Sequence, residues 1–255
     1  MRNRMLGLIL AVVPLLVLSP VMLAQTTGQS GAARATPDLS GVWDRAPGGG
    51  HGFTVMPEVL PMQPWAAEYY KAAREGASNP LMAGRDDMNP SFNCFPHGIP
   101  RILTVSPRPM EIVQTPGRVL MLFEADHWVR HIWTDGRGHP KDLADREPTY
   151  MGDSIGRWDG DTLVFDTIGF KDNLWLDGLG HPHTDALHVV ERIRRVDHNT
   201  LDDELTINDP KAYTKPWTAK QVFKLKPDWI IAEHVVCEEH LLNEHLPRMV
   251  RGPRP

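Results

Sequence analysis

The sequence has no basic excess: 27 Lys and Arg stand against 32 Asp and Glu, for a formal net charge of −5. Nucleic-acid binders draw much of their affinity from neutralising phosphates and carry a basic stripe, so that class is set aside. Cysteine is scarce too, at two residues in 255, and neither a close Cys pair nor a helical His-x-x-x-His is present to suggest a metal site. From residue 110 onward the chain shows no long helical pattern, so parallel crossover units, which need a helix between strands, are not expected. What is present argues for a folded chain. Charged residues make up 23% and there are eight tryptophans, a composition unlike that of disordered segments.

Arg2 and Arg4 give a basic start, residues 5–23 are almost wholly apolar, and Ala24 is a small residue suited to cleavage. This pattern predicts a signal peptide over 1–24 and a periplasmic or secreted protein. Pro14 and Pro20 interrupt the apolar run, so no permanent membrane span is expected in the mature form, and no cysteine at the cleavage point calls for a lipid anchor. Residues 25–37 read as a flexible leader. In an oxidising compartment Cys94 and Cys237 are expected to pair, the alternative being two buried thiols.

One domain is expected over 38–255. Its segment 44–109 wraps over a surface and holds a short helix at 64–75, begun by Pro64 and ended by Gly76. Two-residue alternation broken by Gly, Asp, Asn and Pro predicts strands at 38–43, 110–114, 119–124, 127–134, 153–158, 162–170, 187–196, 201–207, 217–226 and 229–237. Successive antiparallel strands remove their edges by closing. The predicted fold is therefore all-β, an antiparallel up-and-down, lipocalin-like barrel of about eight to ten strands with one short N-terminal helix. In such a barrel the long connections 135–152, 171–186 and 208–216 share one rim, opposite the short turns, and that rim is the expected mouth.

Alternation also places polar side chains on buried faces. Glu191 falls with Leu187, Val189 and Ile193, and Glu233 with Trp229, Ile231 and Val235, so both are expected to point inward as proton-transfer groups or ion-paired braces. Arg130 shares a face with Trp128 and Ile132, while His131 shares one with Val129 and Trp133; only one set can face in. Candidates for proton transfer are Glu191, His131, His183 and Tyr150. Trp128, Trp133, Trp175 and Trp217, with Arg130 and Tyr213, are candidates for holding a substrate. His181, His183 and Asp185 form the densest cluster of metal-ligating types, and a divalent metal is the one cofactor they suggest; none is otherwise expected. Gly152-Asp153-Ser154-Ile155-Gly156 matches the letters of a nucleophile elbow, but a strand and hairpin follow where a helix is required.

Gly41-Val42-Trp43 resembles the opening motif of lipocalins, whose Trp closes the barrel floor. Over most of the mature chain, the stretches 38–43, 94–98, 130–140, 151–167 and 181–195 resemble a family of exported bacterial proteins of uncharacterised activity, which implies secretion and a single domain. The expected function is binding of a small aromatic or glycosidic molecule with acid–base chemistry of lyase, hydratase or isomerase type. A non-catalytic periplasmic carrier is the first alternative. A metal-dependent enzyme using His181, His183 and Asp185 is the second, and a structural subunit held by partners the third.

Overall fold

The computed structural model describes residues 36–78, 89–105 and 108–233. Within them nine strands close a barrel: each neighbours the next in sequence, and the last returns to the first. They are β1 (Gly41–Arg45), β2 (Met110–Thr115), β3 (Arg118–Phe123), β4 (Val129–Trp133), β5 (Asp153–Asp159), β6 (Thr162–Ile168), β7 (His188–Asp197), β8 (Thr200–Asn208) and β9 (Trp217–Leu225). One α-helix, α1 (Pro64–Ser78), accompanies them among the described residues, running two residues past the glycine expected to end it. No helix among the described residues is long and apolar enough to cross a membrane. The expected signal segment 1–24 and Cys237 lie outside the described residues.

Three expectations are corrected. The pairing is not antiparallel throughout: β4 and β5 run parallel, joined at Ile132↔Ser154 and Trp133↔Ile155. Residues 134–152 therefore travel from one end of the barrel to the other instead of forming a loop at one rim. The parity of the connections shifts with them, so the turn at 124–128 joins 169–187, 209–216 and the segment between β1 and β2 at the same end. The tenth strand does not form over its described part, because β1 and β9 already close the sheet through Trp43↔Leu225 and Arg45↔Phe223. Trp229 and Ile230 are exposed, and Glu233 is an exposed tail residue, not an inward acid.

The inward faces follow the two-residue period. Met110 and Ile112, Val119 and Met121, Leu163 and Phe165, Val189 and Ile193, Leu201 and Leu205 are all buried and form the apolar core. Trp43 is fully buried, its indole Nε1 donating to the Leu39 carbonyl at 2.9 Å. Arg195, at the turn between β7 and β8, lies 5.1 Å over its ring. At the opposite end Phe53, Tyr213 and Trp217 pack edge to face, with centroids 6.4 Å apart for Phe53 and Trp217 and 5.6 Å for Tyr213 and Trp217. Val55 bridges to Lys220 and Met62 to Tyr213, so the wrapping segment is stitched onto this end and delivers α1 there.

The elbow-like letters serve the sheet. Gly152 has φ +67°, and a Cβ there would meet Thr167 Cγ2 at 2.6 Å and the Ile168 carbonyl oxygen at 2.9 Å, so only glycine starts β5 this close to β6. Ser154 turns into the barrel and is spent on hydrogen bonds, as the failed strand-to-helix context predicts.

Candidate functional site

The expected residues are divided among three places. The first is the barrel interior. Arg130, and not His131, takes the inward position on β4, and its guanidinium grips Glu191 in a bidentate pair, Nη1 to Oε1 at 2.9 Å and Nη2 to Oε2 at 2.5 Å. Nη2 also donates to Thr167 Oγ1 at 2.8 Å and Nε to Ser154 Oγ at 3.2 Å, while the cation sits 4.9 Å from the Phe165 ring centroid. Both partners are 1% exposed or less. A carboxylate so committed braces the wall, and its lone pairs are not available to a substrate. Asp203 on β8 extends this polar belt toward Gln221, its direct cross-strand neighbour on β9. Burial, then the adjacent Glu191 charge, pushes the Asp203 carboxyl well above the ordinary carboxylate range. Neither of its oxygens has a hydrogen-bond partner among the described residues, and Gln221 Oε1 has none either.

The second place is a groove of about 370 Å³ on the outer wall, at the seam between β4 and β5. Trp128, His131 and Trp133 line it, with Met151 and Asp153 across from them. His131 lies over Trp133 at 5.9 Å, and Trp133 is also covered by Arg137 at 3.8 Å. Tyr150 packs edge to face on Trp128 at 5.8 Å, so four of the expected residues do meet, though outside the barrel.

The third place is the end where the long connections gather. A cavity of about 580 Å³ opens there between α1, the turn at 90–95 and residues 172–184. Its lining comes entirely from connecting segments, so it lies in the cap layer and not in the bore. Trp65 and Tyr69, four apart on α1, share the face turned to the cavity; Phe95, Leu174, Asp172 and His183 supply the other walls. Three contacts hold the His183 segment. The Tyr213 hydroxyl donates to the Pro182 carbonyl at 2.9 Å, and Asp209 accepts the Thr184 amide at 2.6 Å and the Thr184 hydroxyl at 2.8 Å.

His183 is buried, and its Nδ1 faces the Thr184 carbonyl at 3.2 Å. A carbonyl only accepts, so Nδ1 carries the proton and the neutral ring keeps its lone pair on Nε2. That nitrogen has no partner among the described residues. Burial holds the imidazole below its ordinary pKa, and Nε2 is itself shielded from solvent within a residue that lines the cavity.

The other expected residues serve packing. Trp175 is buried, its Nε1 donating to the Tyr69 hydroxyl at 3.1 Å, and Tyr213 and Trp217 are buried in the cap. The metal trio does not converge. His181 Nδ1 is bound to Asp177 at 2.7 Å with its ring stacked 4.2 Å from Tyr70, and the exposed Asp185 pairs with Lys211 at 2.6 Å. Among the described residues no group of three or more His, Cys, Asp or Glu is arranged to hold a metal ion. The pairing of Cys94 with Cys237 rests on a residue outside the described ones.

Sequence reasoning missed Trp65, Tyr69, Phe95, Asp172 and Asp203. The spacing of Trp65 and Tyr69 was a readable helical signal, and the alternation that singled out Glu191 singles out Asp203 equally, between Leu201 and Leu205. Nothing local marks Phe95 or Asp172. No protein-family model and no curated protein matches the chain.

Proposed function

We propose that the protein is an exported β-barrel that binds a small ring-bearing molecule in the cap cavity and that His183 acts there as proton acceptor. The observation that carries this reading is the buried, neutral imidazole with its Nε2 lone pair unpaired on the wall of an aromatic-lined cavity. A cavity of about 580 Å³ suits a small ligand, and a few oriented polar groups among aromatic walls are what small-molecule sites use. Acid–base chemistry of lyase, hydratase or isomerase type needs a base that is unprotonated at working pH, a condition His183 meets. Export rests on the basic start and the apolar stretch over 5–23.

Thermal-shift screening of ring compounds, followed by product analysis, tests the reading. A ligand that raises the unfolding temperature of the native protein but not of His183→Gln supports binding at this site. Conversion of that ligand, falling by about 10²–10⁴-fold in the same variant, supports proton transfer. Return of the ligand unchanged makes the protein a carrier, and a ligand that binds His183→Gln equally well removes the site.

A further inference from the structure

Resting on the cap-cavity reading, we infer that its ligand is a ring compound carrying a protonated primary or secondary amine. The charged group of the lining is an acceptor, and its donors are few and neutral. His183 has no hydrogen to give, because its one N–H is spent on the Thr184 carbonyl. Thr184 has given both its amide and its hydroxyl hydrogen to Asp209. Asp172, exposed on the cavity wall, accepts only when ionised. The Asn173 amide and the Tyr69 hydroxyl, which accepts from Trp175 Nε1, are the lining side-chain groups that can still donate.

Charge points the same way. Asp172 lines the cavity and Asp209 stands behind Thr184, and both carboxylates act on His183. Among the described residues no Lys or Arg lines the cavity. Lys211, on the Asp209 turn, is paired with Asp185 and also acts on Asp209 and Asp172 from outside the lining, so the two carboxylates share one cation that Asp185 already neutralises. An anionic ligand would meet the Asp172 carboxylate with only two neutral donors, Asn173 and Tyr69, to hold it. An ammonium would meet the Asp172 carboxylate, an acceptor that takes its hydrogens.

The walls fit the same cation. Trp65 is 45% and Phe95 40% exposed, large rings left uncovered at the cavity, with Tyr69 between them. Aromatic faces are electron-rich and attract ammonium groups, while their area stacks on a ring. A quaternary amine would satisfy the aromatic faces but bring the Asp172 carboxylate no hydrogen, so a donor-bearing amine is the better match.

Calorimetric titration of the full chain with benzylamine, benzyl alcohol and benzoate tests this. The three probes share a ring and differ in charge and donors. Benzylamine is expected to bind at least tenfold tighter than benzyl alcohol, with benzoate weakest. Asp172→Asn, an exposed isosteric change, should remove about tenfold of the benzylamine affinity and leave that for benzyl alcohol unchanged. Equal binding of the three probes, tightest binding of benzoate, no binding of any of them, or an unchanged benzylamine affinity in Asp172→Asn would each overturn the inference. The two readings fail separately. A different ligand whose binding depends on His183 leaves the cavity standing without the amine, whereas benzylamine binding that His183→Gln does not weaken removes the site itself.

Discussion

Inside the barrel three ionisable groups, Arg130, Glu191 and Asp203, face one another with a single positive charge among them. The bidentate pair with Arg130 satisfies Glu191, and burial, then that neighbour's charge, raises the Asp203 carboxyl well above its ordinary pKa. A carboxyl raised in the fold contributes stability that is complete below its unfolded pKa and is lost as pH rises toward the folded one. Asp203→Asn removes that dependence. The variant should match the native protein near pH 4 and exceed it increasingly in urea midpoint as pH rises, until the folded value is passed; an unchanged difference across pH would contradict the protonated acid. Arg130→Met acts oppositely, leaving the buried Glu191 carboxylate without its counter-charge. It should cost about 3–5 kcal/mol at neutral pH, as removal of one partner of a buried pair does.

At the scale of elements, the chain returns from β6 to β7 through a segment that Asp209, from the next connection, holds by both hydrogens of Thr184. Asp209 is itself buried and also accepts the Ala212 amide at 3.1 Å, so one carboxylate organises two connections and sets His183 against the cavity. Asp209→Ala should leave the barrel folded while freeing residues 182–184. Amide exchange there should accelerate; unchanged exchange would show that Tyr213 suffices. The hairpins of this region were legible in the sequence, because Asp159-Gly160 and Asn199 carry their own turn chemistry. The parallel step from β4 to β5 was not, since residues 134–152 have no strand or helix pattern to reveal that they cross the barrel's length. Alternation around Trp229 to Glu233 misled for a related reason. It predicts a strand wherever an edge is free, and here β1 already occupies that edge. The cap cavity stayed hidden because its walls, α1, the turn at 90–95 and residues 172–184, meet only through tertiary packing, whereas His183 was visible as a residue type.

Across the whole molecule the ladder is uneven. β7 and β8 pair along their lengths, as do β8 and β9, while β4 and β5 meet only at Ile132↔Ser154 and Trp133↔Ile155. A sheet opens first where the fewest hydrogen bonds must break together, so this seam is the expected site of subglobal opening. The crossing segment is fastened beside it by His139, whose Nδ1 meets Asp153 of β5 at 2.6 Å and whose Nε2 meets Asp166 of β6 at 2.9 Å. His188 of β7 bonds the other oxygen of Asp166. Partial burial opposes the Asp166 charge, yet hydrogen bonds from the two imidazoles hold its pKa below the usual carboxylate value. A carboxylate depressed in this way lends stability above its unfolded pKa and loses it as pH falls through the folded one. Native-state hydrogen exchange should therefore show Ile132, Trp133 and Ile155 opening ahead of β7 and β8, with the gap widening below about pH 4, where carboxylates take up protons. His139→Asn should produce the same widening already at neutral pH, and should leave β7 and β8 unchanged. If the seam instead exchanges together with β8 at every pH and in the variant, the barrel opens as one unit and the His139 fastening has no part in holding it closed.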